Sequence, residues 1–288
     1  MVVYYIMKLI SRFFCILPLK ARYYSGKAIG SLGWLLVPKR RKKLAVGNIM
    51  RSFGVDRELA SDIVKSSTTR FGNMLIEVLR FPLLNKSNIN QLVTIKGREY
   101  LHEALAYGKG VVIATAHSGN WELLGPALSL NGFPVVGVAQ KQTNTAMNRF
   151  INEYRMLSGM HVVYKNEIRE MIRLLGEGKI LGLLMDQDAG NEGTFVKFFG
   201  VPASTATGAA AMARMKGTPI VPAFITRKED GGHTAVLSKP IFVEKTANRD
   251  ADVFTITQQL TTIIENHIRQ FPNEWFWLHN RWKHTQIV

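Results

Sequence analysis

The chain has 288 residues, 47% of them hydrophobic and 20% charged. That length fits one large domain or two small ones, and the apolar share can fill a sizeable core, which excludes disordered and collagen-like classes. The formal net charge is +16, and the mean hydropathy lies near zero, far below that of a polytopic membrane protein.

The charge is unevenly placed. Residues 1–55 hold eleven basic residues and no acid, whereas the remaining 26 basic and 21 acidic residues nearly balance. Cys15 is the only cysteine, so neither a disulfide framework nor a Cys-rich zinc site can form. In its apolar stretch it reads as a small packing residue, and the count fits a reducing, cytoplasm-facing compartment.

A membrane span needs roughly 20 uninterrupted apolar residues, and Lys8, Arg12, Lys20, Arg22 and Lys27 break every run in 1–38. Lys8, Ser11 and Arg12 share one helical face, while Tyr4, Tyr5, Ile6, Leu9, Ile10, Phe13 and Phe14 cover most of the remainder. This pattern predicts a helix lying in the membrane interface, ended or kinked by Pro18. Residues 28–38 carry Trp34 as an interfacial anchor, and Lys39 to Lys43 follow as a contact for anionic lipid. Two other readings are a cleavable signal peptide, whose small-residue cleavage site is not evident, and an amphipathic helix packed on the protein's own core with its charges in water. Nucleic acid is not an expected partner, because the basic residues alternate with bulky aliphatics.

Residues 56–84 read as helical, with Arg70 to Phe81 at helical spacing and Pro82 as a stop. From about residue 91 strands and helices alternate. Strands are predicted at LVTIKG, 111–116, PVVGVA, HVVY, KILGLLM, TPIVPAF and 234–243. Helices are predicted at 98–107, 120–130, 144–157, 167–176, 205–216 and 252–269. The alternation implies an α/β fold with a central sheet flanked by helices on both faces. In such sheets active residues gather in loops at the carboxyl ends of strands.

Two of those loops carry chemistry. The first is His117-Ser118-Gly119-Asn120-Trp121-Glu122. On one continuous helix His117 and Glu122 stand about 140° apart, so they converge only if His117 precedes the helix. The helix start offers free N–H groups for an oxyanion. The set suits acyl transfer to a hydroxyl, with His117 as base and Glu122 fixing its tautomer. The other readings are Ser118 as nucleophile, without a Gly-x-Ser-x-Gly elbow, a metal held by His117 and Glu122, without an evident third ligand, and a histidine that merely caps a helix.

The second loop is Asp186-Gln187-Asp188-Ala189-Gly190, running on to Phe195-Val196-Lys197-Phe198-Phe199-Gly200. Asp186 and Asp188 can hold Mg²⁺ for phosphoryl or glycosyl transfer, or cap turns and orient basic groups. Lys197 can meet a substrate phosphate or face solvent. Ser204 to Gly208 reads as a capped helix start.

Together these residues resemble the lipid A biosynthesis acyltransferase family, within the lysophospholipid acyltransferase superfamily. The resemblance covers nearly the whole chain. AHSGNWE is similar to the superfamily's His-x4-acid signature, DQDAG with FVKFFG to the branch's second block, and WFWLHNRWK to its C-terminal signature. The resemblance implies a glycerolipid acyltransferase-like mixed sheet over 56–288, behind a membrane-associated segment over 1–55. It makes His117 the base and Glu122 its partner. It places Arg155, and second Arg149, at the substrate, together with Lys197 and Asn120. Asp186, Asp188 and Gly119 become site architecture. It implies no metal or bound cofactor. The donor is an acyl carrier protein thioester or acyl-CoA, the acceptor a lipid A precursor or related glycolipid, and the place the cytoplasmic face of the inner membrane. DQDAG stands where glycerol-type enzymes carry a Phe-Pro-Glu-Gly-Thr block, which argues against a lysophospholipid acceptor, the runner-up. A metal-dependent glycosyl or phosphoryl transferase and a non-catalytic membrane scaffold are the other classes.

Overall fold

The computed structural model describes residues 2–285. Helices α1 (Val2–Ile16), α2 (Leu19–Leu36), α3 (Lys39–Phe53), α4 (Arg57–Thr69) and α5 (Phe71–Leu79) come first. Short α6 (Ile89–Leu92) leads into β1 (Val93–Lys96), α7 (Arg98–Ala106), β2 (Val111–Thr115), α8 (Trp121–Leu130), β3 (Val135–Ala139), α9 (Thr145–Met156), β4 (His161–Tyr164), α10 (Ile168–Gly176) and β5 (Ile180–Leu184). A hairpin of β6 (Thr194–Phe198) and β7 (Val201–Thr205) follows, then α11 (Gly208–Lys216), β8 (Ile220–Arg227), β9 (His233–Leu237) and α12 (Arg249–Gln270).

Seven strands form one mixed sheet in the order β1-β9-β8-β2-β5-β3-β4. From β8 to β4 every pairing is parallel, while β9 runs antiparallel to β8 and β1 parallel to β9. All five residues of β2 are buried. Val112 and Ala114 join a core with α10, α11 and α12, and Val111 and Ile113 join a second core with α7, α8 and α9. That split follows from the two-residue period of a strand. Because β2 and β5 are neighbours, the loops leaving their carboxyl ends meet.

The hairpin corrects one expectation. Ser204 and Thr205 are buried strand residues paired with Phe195 and Thr194, and the helix starts only at Gly208.

The amino-terminal segment breaks near Pro18, as its sequence predicts. Two polar residues of α1 turn toward the protein: Lys8 Nζ donates to Glu153 Oε1 at 2.6 Å, and Ser11 Oγ donates to the Leu79 carbonyl and accepts from the Tyr154 hydroxyl, while Arg12 is exposed. Tyr4 and Phe14 are buried beside it, whereas Tyr5, Ile6, Leu9, Phe13 and Ile16 are exposed. Burying the Ser11 hydroxyl is tolerable because it finds partners on α5 and α9, and the partly exposed Lys8 is paired on α9. Helix α2 docks on α5 through Gly30 and Gly72: a Cβ at Gly72 would lie 2.0 Å from the Gly26 carbonyl oxygen, so the backbones meet with no side chain between them. Among the described residues no helix is long and apolar enough to cross a membrane.

Candidate active site

Strand β2 ends at Thr115 and delivers His117 to the sheet's carboxyl edge. Strand β5 delivers Asp186 beside it. His117 Nδ1 lies 2.8 Å from Asp186 Oδ1, and the His117 backbone N–H donates to Oδ2 at 2.9 Å. Trp275 Nε1–H donates to the same Oδ2 at 2.7 Å. Asp186 is therefore fully engaged and almost wholly buried, at 2% exposure. Its acceptor oxygen fixes the proton of His117 on Nδ1 and leaves Nε2 free to take another.

Burial, the largest effect, works against a charged His117, but the charge and hydrogen bond of Asp186, with the charge of Glu122, outweigh it and hold the imidazole pKa above its ordinary value. Burial likewise works against an ionised Asp186, and the His117 charge and the three donors outweigh it, so that carboxyl stays below its usual range.

The expected His117–Glu122 hydrogen bond is replaced. Glu122 sits in the first turn of α8, where its carboxylate accepts from Arg155 Nη2 at 2.7 Å and Nε at 2.8 Å. This is a two-pronged pair, the geometry a planar guanidinium favours. Glu122 reaches His117 through its charge alone. Arg155, expected at the substrate, stands beside Glu122 and is paired with it.

The other predicted residues divide. Gly119 has φ +63°, and a Cβ there would lie 1.6 Å from the Ile225 carbonyl oxygen, so only glycine fits this turn. Asn120 is buried, and its Oδ1 accepts the Leu123 N–H while its Nδ2 donates to Glu77 at 2.7 Å. Arg149 lies on α9 over the Tyr4 ring, away from His117, at 4.6 Å from the ring centre. Lys197 is exposed on β6, and its backbone bonds Gln258 of α12. Asp188 does not converge with Asp186. Its Oδ2 lies 2.6 Å from His284 Nδ1, and its N–H donates to His279 Nε2. Among the described residues no group of three or more Asp, Glu, His or Cys is placed to hold a metal ion.

Ser118 turns away from His117. Its Oγ is buried and lies 2.9 Å from His267 Nε2. Burial lowers His267 to about 4, so it is neutral near pH 7. Most N–H groups of the loop are taken: Ser118 donates to Ala116, Gly119 to Glu274, and Leu123 to Asn120. Those of Trp121 and Glu122 lie in the first turn of α8, where a helix supplies no acceptor.

Sequence reasoning missed two residues. Trp275 is one, and the indole in the C-terminal signature was its only trace. Arg70 is the other, a guanidinium inside an apolar helical pattern. It donates to the Gly119 carbonyl at 2.9 Å and to Glu274, and burial lowers it to about 10.

Beside His117 an apolar pocket runs between α8 and the sheet. Trp121, edge-on to His117 at 5.1 Å between ring centres, stands on its wall with the Glu122–Arg155 pair. Leu124, Gly125, Leu128, Ile113, Val135 and Met160 line its depth.

Comparison with known proteins places the chain among the acyltransferases. The model of the bacterial lipid A biosynthesis acyltransferase family matches residues 1–284, and the chain belongs to that family. It is 26% identical to the lipid A biosynthesis lauroyltransferase of Escherichia coli, over 93% of this chain and 87% of that one. It is 24% identical to the phosphatidylinositol mannoside acyltransferase of Mycolicibacterium smegmatis, over 78% and 74%. The solved 1-acyl-sn-glycerophosphate acyltransferase of Thermotoga maritima overlays with a TM-score of 0.39 at 13% identity, over 79% of this chain and 88% of that one.

Proposed function

We propose that this acyltransferase moves a fatty acyl chain from a thioester of acyl carrier protein or coenzyme A to a hydroxyl of a lipid A precursor or related glycolipid. The observation that carries this reading is the His117–Asp186 pair, with Nε2 unused, at the head of an apolar pocket. His117 Nε2 takes the proton of the acceptor hydroxyl as the oxygen attacks the thioester carbonyl. The carbonyl oxygen becomes an oxyanion beside the first-turn N–H groups of Trp121 and Glu122. The oxyanion then re-forms the carbonyl as the C–S bond breaks with its electron pair on sulfur, and the imidazolium gives its proton to the leaving thiolate. Asp186 steadies the imidazolium throughout. The donor's acyl chain lies in the pocket.

Two kinds of relative, named for lipid A and for phosphatidylinositol mannoside, support a sugar-bearing lipid as acceptor. The exposed apolar face of α1 and the basic start of α3 support a seat on the cytoplasmic face of the inner membrane. There the acceptor's own chains stay in the bilayer while its hydroxyl reaches His117.

The test uses the full chain with one donor and three acceptors: a lipid A precursor, a phosphatidylinositol mannoside and lysophosphatidic acid. A sugar lipid should be acylated fastest. Faster acylation of lysophosphatidic acid would sink the glycolipid assignment. His117→Ala should lower kcat by about 10²–10⁴ with the fold intact. Ser118→Ala should keep substantial activity, and equal loss in both would favour a serine nucleophile.

A further inference from the structure

We propose that Met160 sets the length of the acyl chain this enzyme transfers, its side chain standing in a notch left by Gly125 and Gly137. The proposal rests on the reading that the pocket beside His117 takes the donor's chain.

The pocket's sheet wall is built in rungs. Thr115 and Leu184 pair across the rung nearest His117. Ile113, Gly182 and Gly137 form the next, and the paired Val111, Ile180 and Val135 the one below. Two of the three residues on the middle rung are glycines, so the wall there has no side chains on β5 or β3. Opposite it, α8 also carries a glycine, Gly125. A Cβ at Gly125 would lie 2.7 Å from both Cε and Sδ of Met160, and one at Gly137 would lie 3.2 Å from Cε. The tip of Met160 therefore fills the gap between helix and sheet at this level. Leu128 and Val135 continue the wall beyond it. Met160 enters from the loop between α9 and β4, so it closes the pocket from the side.

The depth has a chemical meaning. From the Thr115 rung to the Gly137 rung, where the Met160 tip stands, is two residues, and the Val135 rung lies two further on, each step about 7 Å at ~3.3 Å per residue. Each step is roughly the reach of five carbons in an extended chain of ~1.5 Å bonds, so the space beyond Met160 is what its removal adds. A methionine is unbranched and adaptable, so it can set a limit without a rigid floor. No charged group stands below the Glu122–Arg155 pair, so length and width are what the pocket can discriminate.

The experiment gives the full-length enzyme a series of saturated acyl thioesters, from medium to long, against one fixed acceptor. Met160→Ala should move the optimum to longer chains, by opening the way toward Leu128 and Val135. Gly125→Ala should move it to shorter chains, because the new methyl displaces the Met160 tip toward the substrate. Alanine is the better helix former, so that variant keeps α8. The ratio of rates for chains differing by about two carbons should change at least tenfold, within what a hydrophobic pocket discriminates per methylene. Two active variants with the parent's chain preference would overturn the proposal. If the parent itself transfers no acyl group, the proposed reaction fails, and displacement of a bound fluorescent fatty acid by the same series decides the pocket. A displacement profile that shifts in the two variants upholds Met160, and an unshifted one overturns it.

Discussion

In the proposed mechanism His117 takes a proton only in its neutral form, so the pH at which it loses its own proton would set the acid limb of the reaction. Burial disfavours the imidazolium, but the charge and hydrogen bond of Asp186, aided by Glu122, hold the pKa above the ordinary imidazole value. The groups facing the ring are Asp186, Glu122 with its Arg155, and His279 nearby. Activity should therefore rise with pH through a value above about 6.5. Asp186→Asn removes the charge and leaves an amide that can turn either an oxygen or an NH₂ to Nδ1. Its acid limb should move to lower pH and its plateau should fall, by about 10²–10⁴ if the tautomer is lost. A pH profile of kcat/KM measures both, and an unmoved limb would remove Asp186 from this role. Spacing points to Glu122 because it lies five residues from His117. Asp186 lies 69 residues away, and only the pairing of β2 with β5 makes it the nearer carboxylate. Glu122 instead neutralises Arg155, a half-buried guanidinium that could not stand there unpaired without a cost of a few kcal/mol.

At the scale of elements, the site depends on a segment with little secondary structure. After α12, residues 274–284 lie across both loops. The Gly119 N–H donates to the Glu274 carbonyl, the Phe276 N–H to the His117 carbonyl, and Trp275 to Asp186. Arg281 is buried, and its guanidinium donates to the Ser204 carbonyl at 2.5 Å and to Thr205. Trp275→Phe keeps most of the aromatic packing against Phe198 and Trp277 but deletes the donor to Asp186 Oδ2. Oδ2 keeps the His117 N–H, so what is lost is one hydrogen bond to a charged group, about 1.5–3 kcal/mol. The carboxylate's charge then falls more heavily on His117, so the acid limb should move up, opposite to Asp186→Asn, with kcat down about tenfold. A purely structural role would lower the melting temperature and leave the limb in place. The alternation of strands and helices is legible in the sequence because each buried strand is an apolar run and each helix has its own period. The β6–β7 hairpin is not, since Ser-Thr-Ala-Thr-Gly carries the residues of a helix cap. Only the inward burial of Ser204 and Thr205, with Arg281 above them, makes them strand. The start of α3 shows only a charge run in the sequence, yet Ala45, Ile49 and Ser52 bury one side of the helix.

On the whole molecule, one surface is unlike the rest. Leu9, Phe13 and Ile16 of α1 are 69%, 52% and 81% exposed, and Leu32, Leu35 and Leu36 of α2 are exposed as well. The sequence shows that α1 is amphipathic, but not which side faces the protein. The partners of Lys8 and Ser11 lie on α9 and α5, far along the chain, and they turn these two polar residues toward the protein. What is left outside is a mostly apolar face with Arg12 on it, and with Lys20 and the Lys39 to Lys43 run in the adjoining sequence. Fully burying a large apolar side chain is worth about 1.5–3 kcal/mol, and a basic residue near anionic lipid about 1 kcal/mol, the latter screened by salt. The protein should therefore bind anionic vesicles, be released in part by high salt and wholly by detergent. Leu9→Glu combined with Phe13→Glu should leave it in the supernatant after vesicle sedimentation. Both positions point to solvent, so its melting temperature and its turnover of detergent-dispersed substrate should match those of the parent. Truncating 1–43 is a poorer test, because Arg80 donates to the Phe14 carbonyl and α2 lies backbone to backbone on α5, so the cut exposes the core. Complete release of the parent by salt alone, or a double variant that still sediments, would show that this apolar face does not enter the bilayer.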